Sequence, residues 1–145
     1  MSKNQKILKV ISYLYIIAAV IVIAVGIFAF TPAGKEAFKD FKIQDEQKLQ
    51  EANIEKSTMV GINFIASSLS CLIVAVLLKR AIKDGSKTTM LLILLLLNIA
   101  GSVTTIVRGI KDGFSQEILS ACGSLVVDSF ILYNVYKVRK AADED

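Results

Sequence analysis

One carboxylate, Asp128, lies inside an apolar stretch of the sequence where a charged side chain is unusual. It falls about twelve residues into the segment 116–136, which otherwise has the composition of a membrane-spanning helix. An aspartate at the centre of such a helix costs about 2.5–3.5 kcal/mol on insertion scales, and intramembrane acids usually face a bundle interior or a water-filled cavity. The chemistry open to this group is binding of a proton or a cation. The alternative is structural, with a protonated Asp128 donating a hydrogen bond to Asn98 or Ser102.

Further polar side chains recur at helical spacing in three apolar segments. At about 100° per residue, each set lies on one face of its helix. Together the sets predict a pocket for an ion or ligand that opens to the outside, closed on the inner side by aliphatic residues. Asp128 and Asn98 would lie near its floor, and Arg108 and Glu117 at its mouth. The three sets are Glu117, Ser120, Ser124 and Asp128; Asn98, Ser102, Thr105 and Arg108; and Asn63, Ser67 and Ser70.

The same serines and threonines have a second interpretation, which is helix packing. Small hydroxyl residues let membrane helices approach closely and form hydrogen bonds between them. Ser120 and Ser124 fit the small-x-x-x-small spacing of such contacts. The sequence therefore leaves a hydrated pocket and a dry packing surface both open.

Composition excludes several classes of protein. Hydrophobic residues make up 54% of the 145 positions, more than a soluble domain of this size can bury. Histidine and tryptophan are absent, the two cysteines are far apart in the chain, and the eight glycines form no phosphate-binding loop. No second titratable group accompanies Asp128, so we expect no enzyme, no catalytic or metal-binding residue and no cofactor. The basic residues form no stripe with interleaved aromatics, so nucleic acid is not an expected partner.

The elements that must position these side chains are four apolar segments, 7–30, 58–78, 88–107 and 116–136. Each approaches the roughly 20 residues that a helix needs to cross a bilayer. The first is too long for the apolar core of a signal peptide, which runs to about 7–15 residues. We therefore predict an all-α integral membrane protein: a single domain, 1–145, of four transmembrane helices in an antiparallel bundle.

Basic residues predict how this bundle is oriented. Ten of them flank one set of segment ends, at both termini and between the second and third segments, with four acidic residues. The opposite side has seven basic residues against eight acidic ones. Because lysine and arginine collect on the cytoplasmic side, we expect a multi-pass protein of the cell membrane with both termini in the cytoplasm.

Two local patterns predict helix ends. Thr31 and Pro32 are typical of a helix start, and no further proline follows up to Lys56, so we expect a helix across the outer loop 31–57, with Phe41 on its apolar edge. The sequences RAIKDG, ending at Gly85, and RGIKDG, ending at Gly113, match at five of six positions. An inverted repeat is one explanation. The simpler one is helix termination, with a basic last turn and a left-handed glycine.

Two functions remain open. The first is a membrane protein that acts by association, as an accessory, assembly, immunity-type or scaffold subunit, with another membrane protein or a second copy of the chain as its partner in the lipid bilayer. The alternative is a small transporter or channel that uses Asp128 as its proton or cation site.

Overall fold

The computed structural model describes residues 1–40, 46–113 and 115–144, and these residues are helical with no strand among them. The helices are α1 (Lys3–Ala29), α2 (Pro32–Ala37), α3 (Glu46–Glu51), α4 (Lys56–Lys83), α5 (Thr89–Asp112) and α6 (Ser115–Glu144). The helices α1, α4 and α5, together with residues 117–144 of α6, are long and apolar enough to cross a membrane. The four predicted apolar helices are thus confirmed. The long helices extend past the predicted segments, because charged turns continue α4 to Lys83 and α6 to Glu144.

The chain divides into two compact units. One unit comprises Tyr13–Ala75 and contains most of α1, the outer segment and most of α4. The other comprises Met1–Ser12 together with Val76–Asp145 and contains α5 and α6. We call them the α1/α4 unit and the α5/α6 unit and describe each by itself.

Small residues hold α1 and α4 close together in the α1/α4 unit. A Cβ atom on Gly26 would lie only 3.2 Å from the carbonyl oxygen of Gly61. Seven residues earlier in α1 and seven later in α4, the Ser68 hydroxyl donates a 2.9 Å hydrogen bond to the carbonyl oxygen of Ala19. The later part of α1 therefore lies against the earlier part of α4, at a separation that larger side chains would prevent.

The outer segment begins as predicted but is not one helix. The Thr31 hydroxyl accepts a 3.1 Å hydrogen bond from the Gly34 amide, with Pro32 in the first turn of α2. The expected continuous helix is wrong, because α2 ends at Ala37 and α3 ends before Asn53, whose φ of 54° is left-handed. Phe41 lies outside the described residues.

Aromatic contacts form where the chain leaves the helical path after α2. The Phe38 ring packs 6.4 Å from the rings of both Phe28 and Phe64, measured between centroids. An ion pair of 3.1 Å between Lys35 and Glu55 joins the two ends of the same segment. The half-buried Phe38 ring thus contacts α1 and α4 at the residue where α2 ends, and the turn after α2 is compatible with these contacts.

The two similar sequences end their helices differently. Gly113 closes α5 in a left-handed conformation, φ 79°, and its amide bonds to the Gly109 carbonyl at 2.8 Å, as predicted. The prediction is wrong for Gly85, where φ is not left-handed. A Cβ atom there would lie 2.9 Å from the Val138 carbonyl oxygen and from the Ala142 side chain. Gly85 therefore allows close packing against α6 rather than a special backbone conformation.

Four parts of the chain meet at one end of the α5/α6 unit. The Gln5 amide of α1 donates a 3.1 Å hydrogen bond to the Ile82 carbonyl of α4. The turn at Gly85 packs on the last turns of α6, and Arg139 of α6 donates to the Thr89 hydroxyl at the start of α5, at 3.3 Å. We call this the basic end, because the segments that meet there contain ten basic residues.

Replacing Gly26 tests the close approach of α1 and α4. Gly26→Leu forces side-chain atoms into the Gly61 backbone and should lower the free energy of unfolding by about 1–3 kcal/mol. The matched control is Gly101→Leu in α5, where a Cβ atom meets nothing within 4 Å. Unfolding of the monomer in mixed detergent micelles, followed by circular dichroism, measures both variants. Equal stabilities for the two variants would contradict the tight contact.

Candidate functional site

Asp128 lies near the middle of α6, about 20 Å from its start and about 24 Å from its end. Its side chain is buried, with 7% of the residue exposed. The residues seven positions before and after it, Ala121 and Val135, are buried as well. Asp128 thus occupies a position on the packed face of α6 that an apolar residue fills one repeat later.

The packed face of α5 follows the same seven-residue spacing. Thr88, Leu95 and Gly109 are buried, and Ser102 between them is half-buried. Ser102 follows Thr89 by thirteen residues in α5, and Asp128 precedes Arg139 by eleven residues in α6. Because Arg139 contacts Thr89, Ser102 and Asp128 lie at a similar level of the two helices.

No hydrogen bond or ion pair to the Asp128 carboxyl is present among the described residues, which include Asn98 and Ser102. Asn98 is exposed on α5, and the Thr105 hydroxyl instead donates to the Gly101 carbonyl one turn earlier, at 2.9 Å. A carboxyl at a mostly buried position is costly when no donor replaces its solvation. Such a group is free to take up a proton or another ligand.

Most of the other candidate residues of α5 and α6 lie on the surface of their unit. Arg108 borders a shallow groove with Val107 and Lys111, and Glu117 is half-buried. Among the residues predicted to line a pocket in this unit, Ser102 and Asp128 lie at a similar level on the packed faces of α5 and α6. The exposed members are Asn98, Thr105, Arg108, Ser120 and Ser124.

The third set of candidates belongs to the α1/α4 unit. Asn63, Ser67 and Ser70 are all exposed on α4. The polar contact of this helix is made by Ser68, which is buried and bonds to Ala19. Sequence reasoning missed Ser68, although Gly61, Ser68 and Ala75 form a series of small residues at intervals of seven, which indicates a packed face.

Three further buried polar residues of the α5/α6 unit were missed. Ser12 donates a 2.7 Å hydrogen bond to the Lys9 carbonyl in α1. Asn134 is 1% exposed and donates a 2.8 Å hydrogen bond to the Phe130 carbonyl, one turn earlier in α6. The Thr88 hydroxyl is fully buried and has no partner among the described residues. For Thr88 the available signal was its place seven residues before Leu95. No comparable signal marks Asn134.

No protein-family model, curated protein or solved structure matches this chain. Within the described residues, no three Cys, Asp or Glu side chains are grouped as a metal site, and Cys71 and Cys122 are free thiols. The geometry thus offers polar atoms on helix surfaces within the apolar spans and one carboxyl, that of Asp128, on a buried helix face.

Replacing Asp128 with valine tests whether its carboxyl costs stability. Asp128→Val gives α6 the residue type found at Val135 and should raise the free energy of unfolding by about 1–3 kcal/mol, because an unpartnered polar group is removed. Ser124→Val, one turn away and exposed, controls for added apolarity and should change stability little. Unfolding in mixed micelles measures both. A less stable Asp128→Val protein would show that the carboxyl makes a stabilising bond.

Proposed function

We propose that this protein works by association within the membrane, as an accessory, assembly, immunity-type or scaffold subunit that binds other membrane-spanning chains. One observation carries the proposal. Asn98, Gly101, Thr105 and Arg108, spaced at three and four residues, form an exposed polar and small face on α5, which we call the α5 polar face. The Asn98 amide has no hydrogen-bond partner among the described residues.

Contact with lipid is energetically unfavourable for the α5 polar face. A hydrocarbon interior offers no hydrogen bonds, so exposed amide groups in a spanning helix are favoured only where another polar surface covers them. A second helix can approach closely over Gly101, because a Cβ atom there would meet nothing within 4 Å. Small residues beside polar ones are the usual composition of contacts between membrane helices.

The proposal includes a topology. We propose an antiparallel bundle in the cell membrane with both termini in the cytoplasm. The contact between the start of α5 and the end of α6, and that between Gly26 and Gly61, support antiparallel neighbours. The meeting of Gln5 with Ile82 at the basic end, together with the positive-inside rule, supports cytoplasmic termini.

Residues of the α5 polar face can be replaced without changing the buried side of α5. Asn98→Leu and Gly101→Leu should each weaken association about three- to thirtyfold, the effect of losing roughly 0.6–2 kcal/mol of polar or close packing between membrane helices. The measurement is the size of the complex that native membranes release into mild detergent, compared on native gels. The variants should run as smaller species than the original chain.

The matched control is Val103→Leu, which adds bulk on the opposite side of α5, where Val103 is exposed. It should leave the complex at its original size. If the original chain already runs as a monomer in native membranes, or if Val103→Leu disrupts the complex as strongly as Asn98→Leu, association through the α5 polar face is wrong.

A second candidate function, a small proton- or cation-coupled transporter or channel, is favoured by the buried Asp128 carboxyl. A titratable group at this depth is typical of proton relays and ion sites. Ser102, at the same level on α5, would supply an oxygen ligand. Under this second candidate function, the Asp128 carboxyl lowers the stability of the protein but is required for flux.

Flux through reconstituted vesicles tests this second candidate. Asp128→Asn keeps the size of the side chain and removes its charge, so it should reduce proton or cation flux to the level of empty vesicles while the helical content is unchanged. Ser124→Ala, on an exposed position one turn away, should retain the flux. Flux that survives in Asp128→Asn removes the carboxyl from any transport mechanism.

A further inference from the structure

The positive charge of this protein is concentrated at the basic end of the α5/α6 unit. The segments that meet there bring ten basic residues, and the described acidic residues among them are Asp84, Asp143 and Glu144. Eight of the ten basic residues are exposed, while Lys137 and Arg139 are half-buried. The ten are Lys3, Lys6, Lys9, Lys79, Arg80, Lys83, Lys87, Lys137, Arg139 and Lys140.

Two of the acidic residues at this end already have basic partners. Asp84 accepts hydrogen bonds from the Ser86 hydroxyl and amide, at 2.6 and 3.1 Å, and pairs with Lys87 at 3.4 Å. These bonds and the Lys87 ammonium hold the pKa of Asp84 below its usual value. Asp143 pairs with Arg139 at 3.9 Å. The basic residues at this end therefore clearly outnumber its acidic residues.

The basic side chains adjoin the surface that faces lipid. Tyr133 and Tyr136 are exposed on α6, in the turns that also carry Lys137 and Lys140, and the Lys137 ammonium lies 5.5 Å from the centre of the Tyr133 ring. Met90, in the first turn of α5, is exposed as well. Tyrosine prefers the boundary between hydrocarbon and headgroups, so these turns lie at the depth of the lipid phosphates.

We propose that the basic end binds the headgroups of anionic phospholipids. Charge supplies the attraction, because clustered lysines and arginines directly beside a spanning helix bind acidic lipids in preference to neutral ones. Geometry supplies the position, because the long lysine and arginine side chains extend from apolar turns toward the headgroups. Arg139 and Lys140 border a shallow groove with Leu92 and Tyr136. Asp143 and Glu144 line the same groove, so the attraction for acidic lipid comes from the excess of basic residues over the whole basic end.

The absence of tryptophan from the sequence makes a direct test practical. Tyr136→Trp places the single tryptophan of the chain at the basic end, and Val107→Trp places it at the other end of the unit, where Val107 is equally exposed beside Arg108 and Lys111. Each variant is reconstituted in phosphatidylcholine vesicles that contain brominated phosphatidylglycerol or brominated phosphatidylcholine. Bromine quenches tryptophan fluorescence only in neighbouring lipids, so the ratio of the two quenching curves measures lipid preference.

We expect phosphatidylglycerol to be preferred about fivefold or more over phosphatidylcholine when the tryptophan is at position 136, equivalent to about one basic side chain at the headgroups. The preference should be weaker at position 107, where Asp112 accompanies Arg108 and Lys111. In the Tyr136→Trp background, Lys137→Gln, Arg139→Gln and Lys140→Gln together should lower the preference, because they remove three of the ten basic side chains, those nearest to the tryptophan in α6. Arg108→Gln with Lys111→Gln should leave it intact. Circular dichroism establishes that each variant is folded.

Two results would overturn the proposal. One is an equal lipid preference at positions 136 and 107, since the basic end would then have no special affinity. The other is a preference at position 136 that the triple neutralisation does not lower in a folded protein. Neither result bears on association through the α5 polar face, which concerns the membrane-embedded part of α5.

Discussion

A spanning helix has no water to satisfy its polar groups, so each such group must find its partner within protein. Ser68 meets this constraint by bonding to Ala19, and Thr105 by bonding to the turn before it. Asp128 and Asn98 do not meet it within the described residues. Asp128 lies on the packed face of α6 and Asn98 on an exposed face of α5. Asn63, Ser67 and Ser70 are likewise exposed on α4.

The packed faces share one rule of construction. Residues at intervals of seven lie at the contact on each long helix, with small residues where backbones approach closely, as at Gly26 and Gly61. In α6 the same interval places Asp128 between Ala121 and Val135. The carboxyl of Asp128 is therefore located on the buried face of α6, at a position where the neighbouring repeats have apolar residues.

Sequence reasoning was sufficient for the apolar helices, the cap at Thr31 and the left-handed end at Gly113, because each depends on local composition or local backbone preference. It was insufficient wherever a distant contact decided the outcome. Gly85 is explained by the proximity of Val138, and the break after Ala37 coincides with the ring contacts of Phe38. Helical periodicity identified which polar residues share a face of a helix. It does not show whether that face packs against the protein or is exposed. Only Ser102 and Asp128 among the α5 and α6 candidates were brought to one level of the packed faces.

The central claim is that the α5 polar face is covered by another chain in the native membrane. Spin labels on single cysteines at Thr105, on that face, and at Val103, on the opposite side, test it directly in a Cys71→Ala, Cys122→Ala background. Collision with oxygen reports lipid contact, and collision with a water-soluble nickel complex reports water. The account predicts low collision with both reagents at Thr105 and high collision with oxygen at Val103. Oxygen collision as high at Thr105 as at Val103, or strong collision with nickel at Thr105, would contradict it.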